Sequence, residues 1–296
     1  YIRLSRNSVM NAFYTVKHSL KLARWQARRF QAALRWGPQA LAQTPAVLGN
    51  AMPKSGSHLI YQVVQGLAGL GPFVNPGFPP VNRDEVNDKL KDEEALTNLR
   101  RMRPGDIAYG YIKALPPFVS LLTQPGRATI FVYRDPRDMV VSHVHYATEM
   151  HPGHGMHRYY TTVLKSMEER IHAAIQGVEE PGSELSPLRK KYEGYLGWLE
   201  QPAALCLRFE DLILDRPAAL NRILDYLVER GFTPRLPRQQ EIAILERAIA
   251  PKRSGTFRKG QPGNWREHFS EANKAFIKEQ TGDLLIRLGY EIDDCW

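Results

Sequence analysis

Three short stretches of this chain carry side chains whose types and spacing suit the binding of phosphate-like anions. In Pro53-Lys54-Ser55-Gly56-Ser57-His58, a lysine, two hydroxyls and a glycine follow an apolar run and precede a helical pattern. Backbone N–H groups at such a helix start point outward and favour an anion. Gly56 lets the backbone approach closely, while Lys54, Ser55 and Ser57 add charge and donors. The Gly-Lys-Ser/Thr core of a Walker A loop is absent, because Lys54 precedes Gly56. In the second stretch, Arg134 stands at the end of the β-branched and aromatic run Ala128–Tyr133, and Ser142 falls about two turns into the helix that Pro136 opens. A guanidinium fork with a nearby hydroxyl grips a second phosphate. Asp138 reads as an arginine's partner and Arg137 as a solvated surface charge. In the third, Arg258 and Lys259 lie side by side in a Gly/Pro-rich loop between Phe257 and Trp265. Taken singly, each stretch is also what an ordinary solvated turn contains.

Their combination is more specific. Lys54-Ser55-Gly56, then Arg134…Ser142, then Arg258-Lys259-Gly260 with Gly263-Asn264-Trp265, resemble the cytosolic-type sulfotransferases, and the likeness runs in the right order from Ala46 to Tyr290. The resemblance implies 3′-phosphoadenosine 5′-phosphosulfate (PAPS) as sulfuryl donor, 3′-phosphoadenosine 5′-phosphate (PAP) as product, and no metal. It implies that Lys54, Ser55, Gly56, Ser57 and His58 hold the 5′-phosphosulfate. Arg134 and Ser142 would bind the 3′-phosphate, with Arg258, Lys259 and Gly260 closing over it, and Phe209, before Glu210-Asp211, would lie near the adenine. The reaction would be an in-line displacement at sulfur onto a hydroxyl or similar nucleophile of a small-molecule or lipid-like acceptor, with Lys54 stabilising the charge on the leaving oxygen.

The chain departs from the family at one chemical position. Where the family carries a catalytic histidine, this sequence reads Tyr109-Gly110-Tyr111-Ile112-Lys113, which puts Tyr111 there. A phenol with a pKa of about 10 is a poor base at neutral pH unless a cation such as Lys54 or Lys113 lowers it. Three readings stay open: Tyr111 is the base, another residue is, or the chain is a His-to-Tyr variant. A PAPS- or PAP-binding protein with impaired catalysis is therefore the alternative function. A P-loop kinase would need the Walker A lysine and magnesium ligands. Leu59 replaces the usual tryptophan, Lys274 stands where the dimerisation motif has Glu, and the loop before Phe257 is short. His145 reads as a structural histidine.

These residues need a scaffold. Strands are expected at Ala46–Met52, Ile107–Ile112, Ala128–Tyr133 and Leu205–Phe209. Helices are expected at 58–70, from Pro136 to His145, and at 157–177, 187–199, 217–230, 238–249 and 271–288, with a charged helical patch at Asp84–Arg101. Strands alternating with helices argue for an α/β fold with a parallel sheet covered on both faces, which the resemblance sharpens to a P-loop-like three-layer domain over 46–296.

The 296 residues carry 40 Lys+Arg against 31 Asp+Glu, and 43% are hydrophobic, which excludes intrinsic disorder. Ten of the basic residues, and no acidic one, lie at or before Arg83. The remainder is near neutral, so a nucleic-acid surface spread over the chain is excluded. Cys206 reads as a buried free thiol, and two distant cysteines without zinc spacing suit a reducing compartment. A cytoplasmic protein is the expectation, with peripheral membrane association as an open alternative for its N-terminal segment. Residues 1–45 form an N-terminal basic segment. Val9, Phe13, Val16, Leu20, Ala23, Ala27, Phe30 and Leu34 recur at helical spacing, so an amphipathic helix is expected. It would either pack this stripe on the body and solvate its charges, or use residues 8–36 for membrane docking or self-association.

Overall fold

The computed structural model describes residues 6–250 and 261–296, with side chains from residue 19 onward. Arg258, Lys259 and Gly260, and the side chains of Val9, Phe13 and Val16, lie outside the described residues. The strands are β1 (Ala46–Ala51), β2 (Ile107–Gly110), β3 (Arg127–Tyr133), β4 (Val178–Glu180), β5 (Ser183–Leu185) and β6 (Ala204–Arg208). Four of them form one sheet in the order β2-β1-β3-β6, parallel throughout, with Val47 opposite Ile107 and Ala128, and Ile130 opposite Leu205. β4 and β5 form a small antiparallel hairpin.

The helices are α1 (Arg6–Trp36), α2 (Pro38–Gln43), α3 (Ser57–Gly66), α4 (Asp92–Arg100), α5 (Pro116–Leu122), α6 (Pro136–His145), α7 (Met167–Gln176), α8 (Leu188–Leu196), α9 (Phe209–Leu214), α10 (Arg216–Glu229), α11 (Arg238–Ala248), α12 (Glu271–Thr281) and α13 (Leu284–Arg287). The sheet is buried on both faces, and its side chains alternate between them. Val47, Ile130 and Val132 pack with α3, α10 and α11. Leu48 and Phe131 pack with α5, α6, α7, α8 and α12. The expected three-layer arrangement is the one observed.

Several boundaries differ from the sequence expectation for local reasons. β2 stops at Gly110 rather than Ile112, because the Asn82 and Asn50 side chains replace strand pairing at the next two residues. Of the charged patch only Asp92–Arg100 is helical. Ahead of it Asp84 Oδ1 accepts from Val86 and Asp88 N–H, and Asn87 turns to a φ of 71°. The helix expected at 157–177 is a single wide π turn at Tyr159–Val163, then α7, which Ser166 caps together with Glu169. The one expected at 271–288 breaks at Gly282, whose φ is 55°. Phe209 opens α9 instead of closing β6, since Asp211 accepts the Arg208 N–H at 3.4 Å. Helix α5 and the β4–β5 hairpin carry too little periodicity to be read beforehand. Cys206 is only half-buried, its thiol donating to Trp198 O at 3.3 Å.

The outer edge of the sheet is covered by a proline-rich strap, residues 74–82. Ile107 N–H donates to Val74 O at 2.9 Å, and Val81 N–H donates to Tyr109 O at 2.9 Å.

The largest departure is α1. Its apolar stripe faces away from the body: Leu20, Phe30 and Leu34 are 53%, 65% and 71% exposed. The helix is held instead through Trp25, which is buried and donates Nε1–H to Asp106 at 2.9 Å. Lys21 pairs with Glu85 at 2.6 Å and Arg29 with Asp106 at 2.8 Å. These charges are therefore not solvated as expected; they dock the helix.

Candidate active site

The loop between β1 and α3 turns through two left-handed residues, Lys54 at φ 67° and Gly56 at φ 91°. Gly56 is the N-cap of α3, and no side chain caps the helix, so its first N–H groups are left for a ligand. The Ser55 hydroxyl is fully buried without a hydrogen-bond partner, although buried hydroxyls are normally paired. An uncapped helix head beside an orphaned hydroxyl and a lysine fits a bound anion. Glycine is required here twice over: for its φ, and because a Cβ would stand 2.4 Å from Phe209 Cδ2.

Lys54 Nζ lies 3.4 Å from the centroid of the Tyr146 ring. Burial, then the neighbouring Arg134 charge, lowers its pKa to about 8. Arg134, at the end of β3, stacks its guanidinium 4.7 Å over Phe209, donates to Lys54 O at 3.4 Å and lies 3.8 Å from Asp138. Its Nε is buried without a partner, a second unsatisfied donor beside the loop. Lys54, Gly56, Arg134 and Phe209 are thus brought into one contact network. Ser142 lies half-buried on α6, the helix that starts after Arg134. His58 stands on the first turn of α3 with one side open to solvent; partial desolvation of its ring, then the Lys54 charge, lowers its pKa. Leu59 is buried among apolar side chains of the α3 layer.

Asp138 has a larger task than pairing an arginine. It is buried and accepts Gly263 N–H at 2.7 Å and Trp265 N–H at 2.8 Å, tying the chain that follows residues 251–260 to α6. Burial raises its pKa, against the pull of Arg134 and these two bonds. Arg137 is not a surface charge. It is 2% exposed, paired with Asp135 and Glu291, and sandwiched between Trp265 and Trp296 at 4.1 and 4.4 Å. His145 lies 2.7 Å from Glu149 and meets the His268 ring edge-on.

Tyr111 donates its hydroxyl to Ser57 Oγ at 3.1 Å, which places it at the head of α3. Its backbone is pinned from outside the sheet: Asn82 accepts its N–H and donates to its C=O, both at 3.1 Å. Asn50 does the same for Ile112 at 2.8 and 2.9 Å. The Lys113 stem lies against Gly194 of α8.

Asn50, Asn82 and Tyr146 were not singled out in the sequence. Asn50 had a signal, a polar residue inside an apolar strand. Tyr146 had none, because it is placed by a π turn (Tyr146–Met150) that continues α6, and such turns often mark functional sites. Beyond Tyr146 lies His154, at 5.7 Å ring to ring, then His143 at 5.2 Å from His154. Met156 N–H donates to His154 Nδ1 at 3.1 Å, so neutral His154 carries its proton on Nε2 and presents a donor there. Burial, with Lys191 and Lys54 among the nearby charges, lowers the pKa of both histidines. Among the described residues no group of His, Cys, Asp or Glu is placed to hold a metal ion.

Among solved structures, the chain is similar to a mouse sulfotransferase, SULT7A1, complexed with PAP, at 14% identity and a TM-score of 0.58 over 85% of this chain and 88% of that one. It is also similar to retinol dehydratase in complex with androsterone and inactive cofactor PAP, at 16% identity and a TM-score of 0.53 over 86% and 85%. A complex of retinol dehydratase with retinol and PAP gives 17% identity and a TM-score of 0.52 over 83% of each chain. At these identities the likeness establishes the fold. No curated protein matches the sequence. A family model described as a sulfotransferase domain matches residues 117–289, which include Arg134, Ser142, Asp138 and Phe209. With more than half its length matched, the chain belongs to the sulfotransferase domain family.

Proposed function

We propose that the protein moves the sulfuryl group of PAPS to a hydroxyl or similar nucleophile of a small-molecule or lipid-like acceptor. Residues 46–296 form the transferase unit and 1–45 an appended segment. The observation that carries this reading is the partnerless Ser55 hydroxyl at the uncapped head of α3, in the loop whose Lys54 carbonyl Arg134 binds. Membership of the family and neighbours complexed with PAP support the same donor. Lys54, Ser55, Gly56, Ser57 and His58 would hold the 5′-phosphosulfate, Arg134 and Ser142 the 3′-phosphate, and Phe209 the purine, with Arg258, Lys259 and Gly260 closing the site.

PAPS supplies an activated sulfonate. The acceptor oxygen forms a bond to sulfur as the bond from sulfur to the bridging phosphate oxygen breaks, and the electron pair leaves with PAP. Lys54 stabilises that developing negative charge. The acceptor's proton leaves by relay: the Tyr111 hydroxyl takes it as it passes its own proton to Ser57 Oγ, 3.1 Å away, and Ser57 releases one to solvent, so neither hydroxyl ends with an extra proton. A cavity of about 630 Å³ between α1, α4 and the strap would take the acceptor. Phe78, Val81, Leu90 and Met102 line it together with Arg83, whose guanidinium lies 6.0 Å from the centre of the Tyr111 ring. The complexes of retinol dehydratase with androsterone or retinol are consistent with an acceptor of this apolar kind.

The second reading, a PAP-binding protein with impaired turnover, is favoured by one observation: Tyr111 stands where the resemblance calls for a histidine. An acceptor screen with sulfate-labelled PAPS, using Lys54→Ala as the blank, decides between them. Labelled product that disappears in the blank supports the transferase. PAP binding by calorimetry with no product from any acceptor supports the second reading. Tyr111→Phe is expected to lower turnover at least tenfold with PAP affinity unchanged, and Tyr111→His to restore it.

A further inference from the structure

An amphipathic helix with its apolar stripe turned outward needs an explanation, because burying that stripe is the ordinary reason such helices form. In α1 the stripe is Leu20, Ala23, Ala27, Phe30 and Leu34, all exposed. It is not waiting to fold back onto the body. The opposite face is already committed there, through Trp25 on Asp106 and edge-on to Phe78, Lys21 on Glu85, and Arg29 on Asp106 and Pro104 O. Arg28 adds a bond to Asn75 O at 2.7 Å.

The charges define the occupant. Advancing about 100° per residue, Arg24 and Arg35 fall together on one flank of the stripe, and Lys17 falls on the same flank in the sequence. Arg24 and Arg35 are exposed and make no ion pair among the described residues. No acidic residue occurs anywhere in the helix, or before Asp84. A second copy of this chain would bring one unneutralised basic row against another. A neutral partner would leave the row idle. An apolar stripe bordered by cations and empty of acids is complementary to the boundary between anionic headgroups and acyl chains.

We propose that α1 docks the protein on an anionic lipid surface, lying in the plane of the interface with Phe30 and Leu34 inserted and Arg24 and Arg35 on the headgroups. The helix lies on the membrane rather than through it, since no described helix is long and apolar enough to cross one. Its other side, Leu22 and Trp25, lines the cavity of about 630 Å³, so the docked helix separates that cavity from the bilayer.

The test is flotation of the full chain with vesicles of phosphatidylcholine, with and without phosphatidylserine. Binding is expected only with phosphatidylserine, weakening as salt rises. Phe30→Glu/Leu34→Glu is expected to reduce bound protein at least tenfold, and Arg24→Glu/Arg35→Glu to lose the binding that phosphatidylserine confers. PAP binding in vesicle-free solution, measured on the same samples, is expected to be unchanged in both variants, which shows that they are folded and keeps this proposal separate from the donor assignment. Equal flotation of wild type and Phe30→Glu/Leu34→Glu overturns the proposal. So does a wild type that stays unbound but sediments as a dimer that the same substitutions dissociate, which would assign the stripe to a second copy.

Discussion

The Lys54 ammonium rests 3.4 Å from the centre of the Tyr146 ring and has no carboxylate partner among the described residues. An aromatic face holds a cation in place without cancelling its charge, so the full positive charge is kept for an anionic ligand. The consequence is a pH-dependent site. With its pKa at about 8, Lys54 loses its proton as pH rises through 8, and an anionic ligand, which favours the charged form, raises that pKa. PAP affinity is therefore expected to be level below pH 7 and to fall above pH 8, by at most about tenfold per unit for one proton. Calorimetry at pH 8 in two buffers of different ionisation enthalpy should show proton uptake on binding. Lys54→Ala should abolish that uptake and lower turnover about 100- to 1000-fold.

Gly56→Ala should be costly although it adds a single methyl. The new Cβ meets Phe209 at 2.4 Å, and the backbone sits at φ 91°. A loss of about 1–3 kcal/mol is expected in urea unfolding, with weaker PAP binding. Adding Phe209→Leu should recover only the steric part, because the backbone strain stays.

Asn82→Ala tests how Tyr111 is positioned. It leaves the Tyr111 N–H and C=O without their side-chain partners, at a stability loss of about 1–2 kcal/mol. A purely structural asparagine would leave turnover per folded molecule unchanged. The expected result is lower turnover with unchanged PAP affinity, read from steady-state rates and calorimetry together. Asn50→Ala, at a fully buried position, should cost more stability.

Asp138→Ala should separate anchoring from contact. Its carboxylate holds the Gly263 and Trp265 N–H groups, so its removal frees the chain that follows residues 251–260. PAP affinity should fall about tenfold or more, and proteolysis after Arg266, in the stretch Asp138 anchors, should speed up. Unchanged affinity would remove Asp138 from the donor site.

What the sequence disclosed depended on how local each signal was. The Lys54–His58 loop and Arg134 were legible because a strand end, a glycine and a helix start are read from adjacent residues. The sheet was legible because Ala46–Met52 and Ala128–Tyr133 are mostly apolar and β-branched, with Asn50 and Thr129 as polar exceptions. Tyr146 was not, since the π turn that places it has no sequence period of its own. Arg137 was misread because burial of a guanidinium depends on Glu291 and Trp296, which are distant in the chain. The stripe on α1 correctly announced a helix but not its facing: periodicity fixes which residues share a side, whereas the docking of Trp25, Lys21 and Arg29 decides which side meets the body.

The proline-rich strap along β2 carries one more consequence. An open parallel sheet ends in a strand whose outward N–H and C=O groups can template another chain, which makes it an aggregation hazard. Here those groups are taken by Val74, Val81 and the Asn82 amide, from a segment in which Pro76, Pro79 and Pro80 cannot themselves continue a ladder. The strap closes the sheet without becoming a strand, so growth by strand addition is blocked on the β2 side, and the edge left for it in this sheet is β6.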